Sequence, residues 1–381
     1  MSRHALTSRS RTQRAICVSS FDMSQHQALG RAASFCESFS LRVPILMAPM
    51  AGACPASLAI AIANAGGLGG CGALLMQPKV IGEWAAEVRT GTNGGFQLNL
   101  WIPEQPAKRD VAAEDAVRHF LGNWGPKVAP EAGDVTPPNF EAQCEAILEV
   151  GPPIMSSIMG LYPDHYVARM KSRGIKWFAA VTTVSEAKAA EAAGADVIIA
   201  QGMEAGGHRG AFDAQKAEAR MVGLFSLLPA VVDAVKVPVV ASGGIADGRG
   251  VAAALVLGAS AAQIGTAFLR CPEAKISPAW ADAIGRAKPE DTMVTRAFSG
   301  RPGRSLATSY VQAAEAPTAP PPAPYPVQRG LTQAMRDAAV KENDVERMQA
   351  WAGQSAGLAR PEPAGEVVRR IWEETQALLR A

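Results

Sequence analysis

The strongest constraint on this chain is a rhythm. From Val43 to Gly265, short runs of almost unbroken apolar residues alternate with Ala-rich segments of helical character. The runs are Val43–Met47, a stretch near Gly70, Phe96–Leu100, Ile154–Ile158, Trp177–Val181, Val197–Gln201, Val237–Ser242 and Ala262–Gly265. Helices are expected at Pro55–Asn64, Val80–Arg89, Asp164–Ser172, Ser185–Ala193, Leu224–Val235 and Gly248–Leu257. Strands that are apolar throughout belong to a parallel sheet covered by helices. Eight such units in about 225 residues predict an α/β fold of the (β/α)8 TIM-barrel type, for which about 250 residues is typical. A doubly wound sheet is the second choice, and no GxGxxG follows the first strand to support it.

Two segments break the rhythm. Pro103–Val150 is too long for a simple connection and contains a helix-like stretch at Glu141–Leu148. It is expected to be an insertion after strand 3 that lies over one barrel end. Ala316–Pro326 reads APTAPPPAPYP, and its prolines favour an extended, polyproline-like course. That stretch is expected to link a barrel domain, residues 23–315, to a C-terminal helical segment, residues 327–381. Helices at Leu331–Ala352 and Ala364–Leu379 would pack back on the barrel.

Composition narrows the function. Hydrophobic residues make up 48% and charged residues 19%, which excludes a disordered chain. With 37 Lys+Arg against 35 Asp+Glu, no basic excess points to nucleic acid. Even that small surplus sits in residues 1–22, which hold four Arg and one acid; the remainder has 33 basic against 34 acidic groups. Local positive potential is therefore expected from loop amides and helix ends. The leader is rich in Arg and Ser but lacks an apolar stripe, so a disordered tail or a mis-assigned start before Met23 is expected. No apolar run approaches the roughly 18 residues of a membrane span. The six cysteines show no CxxC and no zinc-ligand spacing, so they are expected to be buried thiols, with no metal site. A reducing compartment, the cytoplasm, follows.

In a barrel of this kind chemistry sits at the C-terminal ends of the strands. The sixth strand is followed by Gln201-Gly202-Met203-Glu204-Ala205-Gly206-Gly207-His208-Arg209-Gly210, where four glycines bare the backbone beside a titratable ring. The seventh is followed by Ser242-Gly243-Gly244 and the eighth by Gly265-Thr266, the places where barrels bind phosphate through amides and a short helix end. The first strand ends in Ala48-Pro49-Met50, whose backbone suits a flat ring, and the third carries the amide of Asn99. Of the five histidines, His4 and His26 lie near the N-terminus and His119 in the insertion. His165 follows the fourth strand, and His208 alone combines barrel-end position with a Gly-rich loop.

Together these segments resemble the nitronate monooxygenase family, formerly called 2-nitropropane dioxygenases. The matching pieces are PILMAPMAG, SLAIAIANAGGLGG, FQLNLW, QGMEAGGHRG, PVVASGGIADGRG and QIGTAFL, followed by RAFSGRPGR at Arg296–Arg304 and WAGQSAGLAR at Trp351–Arg360. The resemblance runs from about Val43 to the C-terminus. It implies non-covalent FMN at the barrel mouth. Ala48, Pro49 and Met50 would line the flavin ring, Asn99 and Gln201 would hydrogen-bond it, and Gly206 and Gly207 would lie beside it. Gly243, Gly244, Gln263, Gly265 and Thr266 would cradle the phosphate, and His208 would be catalytic. The implied reaction oxidises alkyl nitronates with O2 to a carbonyl compound and nitrite, without nicotinamide. A neutral nitroalkane needs its α-proton removed first, and a neutral His208 near its unperturbed pKa of about 6.5 suits that role. The chain departs from the family where Gly303-Arg304-Ser305 stands in place of Ala-Arg-Gly, and in its dense proline stretch and its leader.

Two other readings stay open. The EAGGH segment is also similar to that of FMN-dependent enoyl-thioester (enoyl-ACP) reductases, which consume NAD(P)H. A flavin-binding barrel without chemistry is the other, against which the retained His208 speaks. The physiological nitronate, activity on neutral nitroalkanes and assembly as a homo-oligomer are not legible in the residues.

Overall fold

The computed structural model describes residues 27–105 and 108–380; the leader, Cys17, His4 and His26 lie outside them. Eight parallel strands form the centre: β1 (Ile45–Met47), β2 (Gly69–Gly72), β3 (Phe96–Trp101), β4 (Ile154–Ile158), β5 (Lys176–Val181), β6 (Val197–Gln201), β8 (Val239–Ser242) and β9 (Ala261–Ile264). They run in the order β1-β9-β8-β6-β5-β4-β3-β2. The two ends of that order meet where Leu46 bridges Leu68, through Met47 N–H to Leu68 O at 2.8 Å and Leu68 N–H to Ile45 O at 3.0 Å. The sheet therefore closes on itself, and the protein is a TIM barrel.

The strands are largely apolar because both of their faces are covered. Ile45, Met47, Leu98, Leu100, Ile198 and Ala200 pack outward against the ring of helices. Leu46, Ile154, Phe178, Val197, Ile199 and Val240 point inward and fill the lower barrel. Fully burying such a side chain stabilises the fold by about 1.5–3 kcal/mol. Phe35 and Phe39, from the segment before β1, pack tilted and edge-on against Phe178 and stopper the N-terminal end. Higher up, the inward positions turn polar: Gln97, Asn99, Ser156, Gln201, Ser242 and Gln263. The interior is thus dry at the bottom and hydrogen-bonding at the top.

The long segment after β3 divides in two. Helix Phe140–Val150, capped by the Asn139 side chain, buries Cys144, Ile147 and Leu148 in the main core and belongs to the outer ring. Before it, helix Val111–Leu121 sends Val117 and Leu121 into a second cluster with Phe298, Tyr310, Val327, Leu331 and Met335. This cap sits beside the barrel mouth and includes the proline stretch, where Ala323 N–H donates to Gln328 Oε1 at 2.9 Å.

The C-terminal region differs from the expected helix over Leu331–Ala352. The helices are Val327–Leu331 and Gln333–Glu342, and Asn343 turns left-handed at φ 53° to end the second. Beyond it a 3-10 turn at Val345–Arg347 leads into a short stretch that pairs with the cap: Leu306 N–H donates to Ala350 O at 2.9 Å, and Ser305 bridges Trp351. Cross-strand pairing outcompetes the helical tendency of the intervening residues. Helix Ala364–Arg380 follows. The helix after β9, Thr266–Leu269, is a single turn, and Ala364–Arg380 packs between helices Gly248–Val256 and Ala56–Asn64. It thereby takes the eighth place in the ring, burying Val367, Val368 and Ile371.

Candidate active site

A cavity of about 460 Å³ opens at the C-terminal ends of the strands, within the range of small-molecule sites. Every site residue expected from the sequence borders it.

One side is built from backbone. Gly243 and Gly244 take φ of 109° and 68°, the left-handed region that glycine enters without strain. Among the described residues, their N–H groups meet no protein acceptor, so they remain free to receive an anion. The N-terminus of helix Gly248–Val256 does not share that role, because the Asp247 carboxylate already caps it through Arg249 N–H and Gly250 N–H. Gly265 and Thr266 flank the same side. The Thr266 Oγ1 accepts from Gly353 N–H at 3.0 Å, Ser355 Oγ donates to Gly244 O, and Gln354 N–H donates to Glu204 O at 3.0 Å. The segment 353–355 therefore straps the three glycine loops together. Gly206 must lack a Cβ, since one would come within 2.5 Å of Gly353 N.

Ala48, Pro49 and Met50 form a wall beside Gly265, whose ideal Cβ would touch Ala48 Cβ at 3.3 Å and Met50 Sδ at 3.5 Å. The floor is an amide relay. Gln97 Nε2 donates to Met47 O at 3.0 Å and to Gln263 Oε1 at 3.2 Å. Gln263 thus borders the cavity with its Oε1 held on the floor by Gln97. Asn99 Nδ2 donates to Ser156 Oγ at 3.1 Å. Gln201 has both ends engaged in its own loop: Nε2 donates to His208 O at 3.1 Å, and Oε1 accepts Gly210 N–H at 2.8 Å. Its amide shapes the His208 turn. Arg209 Nη1 braces the same turn on Gln201 O at 2.6 Å.

The opposite side is built from side chains. Gly207–His208 is a short strand, β7, pairing with β11 (Gly303–Leu306), which pairs in turn with β10 (Thr292–Thr295). This small antiparallel sheet carries His208 to the cavity wall. The imidazole lies between Trp101, at 4.6 Å between centroids, and Trp351, at 4.8 Å. Its Nε2 is 2.7 Å from Ser299 Oγ. Arg301 packs over Trp101 and pairs with Glu104 at 2.9 Å. Arg329 borders the cavity with no carboxylate partner among the described residues. Enclosure and the charges of Arg301 and Arg329 push the His208 pKa down to about 3, so the ring is neutral at ordinary pH. The value lies well below the unperturbed 6.5, and positive potential comes not from loop amides alone but also from buried Arg301 and half-buried Arg329.

Ser299, Arg301 and Trp351 fall in the two late segments of the resemblance, and Trp101 ends FQLNLW, yet no role had been attached to them. Tyr325 and Arg329, also at the cavity, carried no signal. His119 lies on helix Val111–Leu121, and His165 is exposed on helix Asp164–Ser172, away from the cavity. Among the described residues no cluster of three His, Cys, Asp or Glu side chains is placed to hold a metal, and no helix is long and apolar enough to cross a membrane.

A sequence profile described as nitronate monooxygenase matches residues 34–374. A nitronate monooxygenase of Paraburkholderia phytofirmans is 39% identical over 344 residues, covering 87% of this chain and 92% of that protein. A probable nitronate monooxygenase of Staphylococcus aureus is 34% identical, covering 90% and 97%. Among solved structures, a nitroalkane oxidase from Streptomyces ansochromogenes superposes with a TM-score of 0.81 at 36% identity, over 89% of this chain and 97% of its own. FabK from Thermotoga maritima superposes with a TM-score of 0.70 at 31% identity, over 91% and 96%.

Proposed function

The chain belongs to the nitronate monooxygenase family, and from that premise we propose that it binds FMN without a covalent bond and oxidises alkyl nitronates with O2 to carbonyl compounds and nitrite. It is an oxidoreductase of that family. The residues present fit FMN: free amides at left-handed Gly243 and Gly244 suit a phosphate, and the Ala48–Met50 wall with the Asn99 and Gln263 amides suits a flat heterocycle with polar edges. When bound, the flavin supplies the electron transfer between substrate and O2. The protein supplies binding, orientation and electrostatics.

The observation that carries the substrate reading is the setting of His208, whose Nε2 lies 2.7 Å from Ser299 Oγ and whose ring lies between Trp101 and Trp351 at the cavity wall. A neutral imidazole, fixed by Ser299 and two tryptophans and facing the fields of Arg301 and Arg329, makes a cavity wall that receives an anion. A nitronate carries that charge on arrival. Cap enclosure excludes water, which strengthens each of these interactions. For a neutral nitroalkane, His208 would have to take the α-proton and become a cation beside two others, which supports a pre-formed nitronate as the substrate. The substrate is a small molecule, and we place the enzyme in the cytoplasm on the strength of the free cysteines among the described residues.

The test is direct. The purified protein should show a flavin spectrum and release nitrite from a nitronate under O2 without consuming NAD(P)H. Oxidation of NAD(P)H without nitrite would instead assign the reductase chemistry. A colourless protein that FMN cannot reconstitute would defeat both.

A further inference from the structure

Behind the cavity wall lies a pair of thiols that this chemistry does not use. Cys54 ends the turn that follows the Ala48–Met50 wall, and Cys71 lies in β2. Their neighbours Ala53 and Gly72 border the cavity, while both sulfurs are buried one layer beneath it. The two Sγ atoms are 3.7 Å apart. Cys54 Sγ also accepts Gly72 N–H at 3.3 Å, and Trp84 Nε1 donates to Cys54 O at 3.0 Å, so the turn is clamped with its sulfur facing Cys71.

We propose that Cys54 and Cys71 are an oxidative modification site that a hydroperoxide converts to an intrachain disulfide, tying the cavity-lining turn to β2. The sulfurs are already in van der Waals contact, and a bond of about 2.05 Å asks for an approach of under about 2 Å. The roles are unequal. The hydrogen bond shared with Cys71, then Gly72 N–H, favours the Cys54 thiolate and lowers its pKa, while the same bond and burial raise that of Cys71, whose sulfur also has Met76 Sδ at 3.8 Å. The thiolate is the nucleophile. Cys54 attacks one peroxide oxygen, the O–O bond breaks and hydroxide leaves, giving a sulfenic acid. Cys71 attacks that sulfur, the S–S bond forms and the S–O bond breaks, and the departing hydroxide takes the thiol proton as water. In sum, two thiols and one hydrogen peroxide become one disulfide and two waters, the peroxide accepting both electrons. The other described cysteines are poorly suited: Cys36, Cys144 and Cys271 have no sulfur neighbour among the described residues, and burial pushes their pKa values up to about 11, 12 and 12.

Peptide mapping of the whole protein tests this. Cleavage after Arg42 and Lys79 releases residues 43–79, which contain Cys54 and Cys71 and no other cysteine. After brief hydrogen peroxide treatment, denaturation and alkylation with iodoacetamide, this peptide should be two hydrogens lighter than its reduced form and unalkylated. Dithiothreitol should restore both alkylation sites. In Cys71→Ser, Cys54 should accumulate as a sulfenic acid that dimedone traps. Doubly alkylated peptide after peroxide, or oxygen retained on either cysteine without a cross-link, overturns the proposal. If the variant fails to fold, the wild-type map decides alone.

Discussion

The cradle and the cap face each other across one cavity but are made differently. The cradle is backbone: Gly206, Gly243, Gly244 and Gly265 leave amides bare and allow the strap at Gly353 to close over them. The cap is side chains gathered from distant segments: Trp101, His208, Ser299, Arg301, Arg329 and Trp351. The cradle is tolerant of nothing larger than hydrogen at key points, whereas the cap is tolerant of shape but dependent on charge and hydrogen bonding. Substitutions should therefore separate cofactor retention from turnover.

The largest effect is expected at the cap. His208→Asn should keep a normal flavin spectrum and lower kcat/KM on neutral nitroalkanes by about 10²–10⁴-fold, the range of a lost acid–base group. On pre-formed nitronates the loss should be under about tenfold. Equal losses on both substrates would remove the proton-transfer role and leave His208 as a wall residue. The matching change in the cradle is Gly243→Val. A Cβ there would crowd Ala205 N at 3.1 Å and Gly202 O at 3.2 Å on a backbone at φ 109°. Strain of about 1–3 kcal/mol should weaken flavin binding by roughly 5- to 150-fold, measured by fluorescence titration of the apoprotein. Turnover of the saturated enzyme should change far less.

The same contrast explains what could be read beforehand. The strands were legible because burial on both faces makes most of them largely apolar, and the cradle because its glycines follow β6, β8 and β9. The cap was not. Ser299 lies 91 residues from His208 in the chain, and only the β7–β11 pairing joins them. The His208 pKa was missed for the same reason: its causes are enclosure and two arginines placed by the cap fold.

Ser299→Ala gives a smaller, sharper test of the cap. It removes the hydrogen-bond partner of His208 Nε2 while leaving the Trp101 and Trp351 packing in place. Loss of one neutral hydrogen bond, about 0.5–1.5 kcal/mol, should lower kcat by about 2- to 12-fold with flavin affinity unchanged. Loss of flavin instead would mean that cradle and cap are not independent.

The smallest effect is expected at Arg329, and it addresses the charge of the cap alone. In the wild type, enclosure and two arginines hold the His208 pKa at about 3, below its ordinary 6.5. The ring should therefore add no inflection to the rate on nitronates between pH 5 and 9. The sign for stability follows. Below pH 6.5 the unfolded chain takes up a proton that the folded chain refuses, so His208 makes the fold lose stability as pH falls from 6.5 towards about 3. Arg329→Gln removes one of the lesser causes and leaves burial, the largest, in place. The acid-side inflection should rise but stay below 6.5, and the acid-induced loss of stability should shrink slightly. For an anionic nitronate KM should increase about three- to tenfold, the scale of one partly screened charge, while KM for a neutral nitroalkane should not move. A uniform rise in both would show that Arg329 shapes the cavity rather than its potential.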